Sequence, residues 1–178
     1  TETGIPLDGR AFVTRLGPPL HHELARYRLD EATVEYLVSR YRELTPEISI
    51  PRTVALPGAV DAVRAVAERG GRAVVVTGKY APDATAHLAA LGIDVAAVVG
   101  EVWSTGKAPA LRELGAEVYV GDHIGDVTAA RAADAMAVAV ATGSNSADDL
   151  MASGADVVLG DLTRFPAWLA SYLVATVH

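Results

Sequence analysis

Four side chains combine chemical type with a telling position: Thr77, Lys107, Asp122 and Asp126. A hydroxyl beside free backbone N–H groups at a helix start can hold an anion such as phosphate. A lysine adds the positive charge that neutralises phosphate oxygens. Carboxylates suit a hard cation such as Mg²⁺, which takes oxygen ligands and keeps part of its water shell. Together the four describe a phosphoryl group held beside Mg²⁺, the requirement of phosphoryl transfer.

Their placement depends on the elements around them. After Pro57 the chain alternates between helical patterns and short apolar runs. "AVDAVRAVAERGG" reads as a helix ending at Gly70–Gly71, and "RAVVVTGK" as a buried strand with its turn. "APDATAHLAALG", "GKAPALRELG", "IGDVTAARAADA", "SADDLMASG" and "LTRFPAWLASYLVATV" read as helices. Between them "IDVAAVVG", "AEVYVGD", "MAVAVATG" and "ADVVLG" read as strands. Continuous apolar strands separated by helices predict a parallel sheet covered on both faces. In such sheets ligands bind beyond the carboxyl ends of the strands. Thr77 and Gly78 follow "AVVV", Asp122 follows "EVYV" with Asp126 one helical turn later, Lys107 opens a helix, and "ATGSNS" (141–146) follows "MAVAV". All of them fall where a ligand would.

Residues 1–53 have a different texture, rich in Arg, Glu, Leu and Tyr and without a convincing strand. "LDGRAFVTRLG" (7–17), closed by Gly17, and "PLHHELARYRL" (19–29) predict short helices. "DEATVEYLVSRYREL" (30–44) predicts an amphipathic helix with Asp30 as N-cap. "TPEISIPRTVALPG" (45–58) reads as the exit linker. The organisation is thus a small helical unit over 1–53 and an α/β unit over 54–178.

Composition narrows the partners. The net charge is −7 with no Lys/Arg cluster, which argues against a nucleic-acid partner. No Cys is present, excluding disulfides and thiolate chemistry. No apolar run reaches the length of a membrane span. The N-terminus lacks a charged region leading into an apolar one, so a cytoplasmic protein is expected. A homodimer is compatible with the sequence.

Thr77 in "VVVTGK", Lys107 in "STGKAPAL", and Asp122 with Asp126 in "VGDHIGDVTAA" resemble, in order, motifs II, III and IV of the haloacid dehalogenase-like (HAD) hydrolases. The segment "LGPPLHHEL" (16–24) resembles the small helical cap of phosphoglycolate phosphatase-like members, and "ATGSNSADDLMASGADVVLGDLTRF" (141–165) resembles their tail. The resemblance covers nearly the whole chain. It implies a Rossmann-like α/β core with a parallel sheet, a helical cap, and a Mg²⁺-dependent phosphatase acting on a small phosphorylated metabolite through an aspartyl-phosphate. Thr77 would bind the phosphoryl group, Lys107 would neutralise it, Asp122 would ligate Mg²⁺, and Asp126 would support the metal shell. The cation and hydrogen bonds would compensate the two acids, whose burial is otherwise costly. Gly78 and Lys79 beside Thr77, Pro18 and Pro19 in "GPPL" (17–20), and His123 in the acid loop are further candidates for substrate contact.

Each residue also has a plainer role. Thr77 could be a strand-end residue, Lys107 and Lys79 solvated lysines, and Asp122 an N-cap with Asp126 as a first-turn acid. "GPPL" could be a helix–helix turn, and His123 a solvated loop residue. His21 and His22 point apart on a helix and make a poor chelate. His87, Trp103 and Trp168 read as structural.

The family's first motif, a strand ending in two acids that act as nucleophile and general acid/base, has no match. "PLDGR" (6–10) has one Asp, Arg10 where a Thr is expected and no apolar strand before it, so Asp8 reads as a turn or helix-capping residue. The nucleophile is therefore expected upstream of Thr1. Without its strand, the strands ending at Thr77 and Asp122 would each lose a neighbour. The alternatives are a non-catalytic member that binds a phosphorylated ligand and, more distantly, a dehalogenase.

Overall fold

The computed structural model describes residues 4–13 and 17–176. Asp8 caps the first helix, α1 (Gly9–Val13), its Oδ1 accepting from the backbone N–H of Arg10 at 3.0 Å and of Ala11 at 3.1 Å. Residues 14–16, which the sequence pattern assigns to this helix, lie outside the described residues. Helix α2 (Leu20–Leu24) tightens into a 3₁₀ turn at Ala25–Tyr27. Helix α3 (Glu31–Leu44) starts at Asp30, whose side chain accepts from the Thr33 N–H at 2.9 Å and the Thr33 hydroxyl at 2.7 Å.

The expected linker over 45–58 is a correction. Helical backbone continues through a π turn at Thr45–Ser49 and a 3₁₀ turn at Ile50–Arg52. Pro46 and Pro51 each occupy the first positions of their turn, where a missing N–H breaks no helical bond. Only Thr53–Gly58 runs free between the two parts.

The α/β part follows the expected order. It consists of α4 (Ala59–Ala67), β1 (Val74–Val76), α5 (Ala81–Ala90), β2 (Ala97–Val99), α6 (Ala108–Glu113), β3 (Val118–Gly121), α7 (Ile124–Ala132), β4 (Met136–Val140), α8 (Ala147–Ala152), β5 (Val157–Leu159) and α9 (Phe165–Thr176). Every pairing is parallel. β1 pairs with β2, Val74 opposite Ala97. β4 lies between β3 and β5, with Val118 opposite Met136 and Val138 opposite Val157. The strands thus form two separate ladders, and among the described residues none joins β1 to β3. Across the break a side chain replaces a ladder: the Tyr119 hydroxyl donates to the Val76 carbonyl at 2.8 Å.

Helices cover both faces. Residues of α6, α7 and α8 pack with Val76, Tyr119, Ala137 and Ala139 on one face. On the other, Ala62 and Ala65 of α4 and Phe165 and Leu169 of α9 pack against Val120 and Leu159. Tyr119 and Val120 point to opposite faces, as neighbours on a strand must.

Candidate active site

Thr77 is clamped where β1 ends. Its N–H donates to the Val99 carbonyl at 2.8 Å, and its own carbonyl accepts from the Val102 N–H at 3.1 Å. Its hydroxyl oxygen accepts from the Lys79 N–H at 3.1 Å, which leaves the hydroxyl proton to donate elsewhere. Gly78 is buried, and a Cβ there would overlap the Gly17 carbonyl oxygen and crowd Pro18. The structure therefore brings Pro18 against the Thr77 turn, with Pro19 following as the residue before α2. The Lys79 side chain is exposed, and its charge acts on His87.

Lys107 is only 5% exposed and Asp126 only 7%. Lys107 Nζ lies 2.6 Å from Asp126 Oδ1 and 2.9 Å from the Tyr119 hydroxyl. The 3₁₀ turn Ser104–Lys107 brings the lysine in, and α7 brings the acid. Burial, and then the Asp126 charge, push the Tyr119 phenol far above its ordinary value, so it stays a donor to Val76. An ammonium carries three N–H groups, and two are used here, which leaves one for a ligand.

The N-cap of α7 is His123, not Asp122. The ring Nδ1 of His123 accepts from the Gly125 N–H at 2.9 Å, while Asp126 Oδ2 accepts from the His123 N–H at 3.3 Å. This reciprocal cap removes the capping role considered for Asp122. The Asp122 carboxylate is exposed at the end of β3 and has no hydrogen bond or ion pair among the described residues. It lies so close to Gly143 that a Cβ there would collide with it. The "ATGSNS" turn also reaches α7, Asn145 Oδ1 accepting from the Ile124 N–H at 3.3 Å.

Two residues of this neighbourhood escape the sequence reading. Tyr119 sits inside an apolar strand, where its hydroxyl is the one available signal. Trp103, expected to be a packing residue, stands 4.9 Å from the His123 ring and 5.7 Å from Lys107 Nζ. The other candidates lie elsewhere. His21 pairs with Glu35 at 3.0 Å within the helical part, and His87 bonds the Thr53 hydroxyl at 2.6 Å.

Among the described residues no group of three or more His, Cys, Asp or Glu side chains forms a ready-made metal cluster. Mg²⁺ does not need one, since it is commonly held by one or two carboxylates with water and phosphate oxygens. Asp122, open and unpaired, fits that pattern. Asp126 has both oxygens engaged and fits as a support.

A family model described as haloacid dehalogenase-like hydrolase matches residues 7–131, and a second, HAD-hydrolase-like model matches residues 108–165. No curated protein matches the chain. A predicted phosphatase from Clostridium acetobutylicum is 19% identical, with 96% of this chain and 86% of that one covered and a TM-score of 0.78. A predicted phosphoglycolate phosphatase from Haemophilus somnus 129pt is 20% identical, with coverages of 92% and 83% and a TM-score of 0.74. A hydrolase from Pseudomonas syringae is 23% identical, with coverages of 96% and 86% and a TM-score of 0.73. At these identities the structures establish a shared Rossmann-like fold. The model matched over residues 7–131 of 178 establishes more: this chain belongs to the haloacid dehalogenase-like hydrolases.

Proposed function

We propose that this protein is a Mg²⁺-dependent phosphatase that hydrolyses a small phosphomonoester through an aspartyl-phosphate, with the helical part as a cap over the α/β core. The observation that carries the reading is one hydrogen-bond chain. It runs from the Val76 carbonyl through Tyr119 and Lys107 to Asp126, and so ties the strand exit bearing Thr77 to the loop bearing Asp122.

The chain's own groups divide the work. The Thr77 hydroxyl donates its free proton to a phosphoryl oxygen. The remaining N–H of Lys107 neutralises a second oxygen, while Asp126 and Tyr119 fix the ammonium in place. Asp122 would hold Mg²⁺, which when bound would supply the positive charge that screens the phosphoryl group from an incoming anion. Among the described residues no ladder joins β1 to β3, and the reading places the nucleophile beside the exits of these two strands, near Thr77 and Asp122. On this reading an aspartate placed there would attack phosphorus as the bond to the leaving oxygen breaks, and that oxygen would take a proton from a neighbouring acid. Water then hydrolyses the acyl phosphate and frees inorganic phosphate.

The test is phosphate release from p-nitrophenyl phosphate by the full-length protein. Turnover should require Mg²⁺ and stop on chelation, and Asp122→Asn should raise the Mg²⁺ concentration needed by about 10- to 100-fold with an unchanged circular dichroism spectrum. Turnover indifferent to both chelation and Asp122→Asn would sink the assignment. Phosphate binding without turnover would instead leave a ligand-binding member of the family.

A further inference from the structure

Trp103 stands where three parts of the molecule meet. Its ring lies 4.9 Å from the His123 ring at a tilt of 55°. A Cβ on Gly17 would fall 2.5 Å from its Cη2 and 2.6 Å from its Cζ3, so the cap loop rests directly on the indole. Gly17 has φ +144°, a conformation suited to glycine. A Cβ on Gly125, in the first turn of α7, would be 3.5 Å from Trp103 Cζ2. One side chain thus touches the cap loop and the acid loop and borders the buried ammonium.

The backbone that presents Trp103 is strained and held. Glu101 and Ser104 both have left-handed φ, +58° and +49°, a state that costs a non-glycine residue about 1–3 kcal/mol and persists only where surroundings enforce it. Here the Glu101 N–H donates to the Lys79 carbonyl at 3.0 Å, which stitches the loop to the Thr77 turn. The Glu101 side chain pairs with Arg42 of α3 at 2.7 Å, and the Arg42 guanidinium lies 3.8 Å over the Tyr80 ring. Loop 101–104 therefore offers the cap two holds, an ion pair at Glu101 and a flat apolar seat at Trp103.

We propose that Trp103 is a positioning residue of this site, whose indole seats the Gly17–Pro18 loop against His123 so that cap placement and acid-loop geometry are set together. The proposal rests on the phosphatase reading for its kinetic consequence but not for its physical one.

The chain has two tryptophans, and the other, Trp168, packs on α9 between Phe165 and Tyr172. Within these 178 residues Trp168→Phe leaves Trp103 as the one tryptophan, read by tryptophan-selective excitation. Adding Gly17→Ser should shift its emission to the red and increase its quenching by acrylamide, with circular dichroism unchanged. Unchanged emission and quenching would overturn the proposal. In the kinetic arm, with p-nitrophenyl phosphate, Trp103→Phe should keep the parent KM. Trp103→Leu should raise KM about tenfold, the equivalent of one lost aromatic contact, with a smaller change in kcat. A Trp103→Leu protein as good as Trp103→Phe would overturn the need for a flat ring. If no version turns over the probe, the phosphatase reading fails, and the emission result alone upholds or overturns the seat.

Discussion

The two half-sheets are held together by different means. In β3–β4–β5 the middle strand has a neighbour on each side, and four of its five residues are buried. Its backbone groups are met by ladders, and its apolar side chains by α7 and α8. In β1–β2 each strand has three residues, and Val76 alone is buried. This half is joined to the other by side chains, through Tyr119 to Val76 and through the apolar cluster shared by Val76, Leu111 and Ala129. The catalytic candidates lie along that join. A ladder would fix the two halves rigidly, whereas a polar chain ending in a lysine and a carboxylate fixes them only while its charges are balanced.

The largest effect should come from unbalancing that chain. Lys107→Met leaves Asp126 buried without its counter-charge and should cost about 3–5 kcal/mol in denaturant unfolding. Combining it with Asp126→Leu should recover much of the loss, because two apolar groups can replace a buried pair. A double variant no more stable than the single one would show that the two halves do not depend on this pair.

A smaller, more local effect is expected from Tyr119→Phe. The Val76 carbonyl then loses its bond across the break, a loss of about 1–3 kcal/mol for a buried unsatisfied group. Hydrogen exchange should speed up in β1 and β2 while β4 keeps its protection. Equal loosening in both half-sheets would show that the Tyr119–Val76 bond is not what joins the smaller half to the larger.

The smallest effect concerns pH. His87 on α5 bonds Thr53 and anchors the smaller half to the segment that follows the helical part. Burial, with the Lys79 charge adding to it, holds its imidazole below the ordinary 6.5. The folded protein therefore binds this proton less readily than the unfolded chain. The His87 contribution is present above pH 6.5 and fades as pH falls through the lowered folded value. The drop in unfolding midpoint between neutral and mildly acid pH should be shallower in His87→Gln, and parallel curves would remove His87 as its source.

What could be read directly from the sequence was local. Asp8 and Asp30 announce helix starts because a short acidic side chain reaches N–H groups two or three residues on. The order of strands and helices follows from apolar runs punctuated by glycine and proline. The placing of Thr77, Lys107 and Asp122 at strand exits or helix starts follows from that order. The helical continuation over 45–52 was hidden because prolines read as breakers unless their place in a turn is known.

The rest belongs to the tertiary structure, since it depends on contacts between residues distant in sequence. Only folding brings Tyr119 to the carbonyl of Val76, 43 residues away, and Lys107 to Asp126, 19 residues away. Those contacts decide that Asp126 is engaged while Asp122 is open, and that His123 takes the capping role. They also decide that Trp103 lies between Gly17 and His123, and that the sheet is split where Tyr119, Lys107 and Asp126 meet. Residue type and spacing determined which groups could act on a phosphoryl ligand. Burial and long-range pairing decided how each is used: Asp126 has one oxygen on Lys107 and the other on the His123 N–H, Lys107 keeps one N–H uncommitted, and Asp122 stays open, because a carboxylate with both oxygens engaged in a dry interior has none left for a cation.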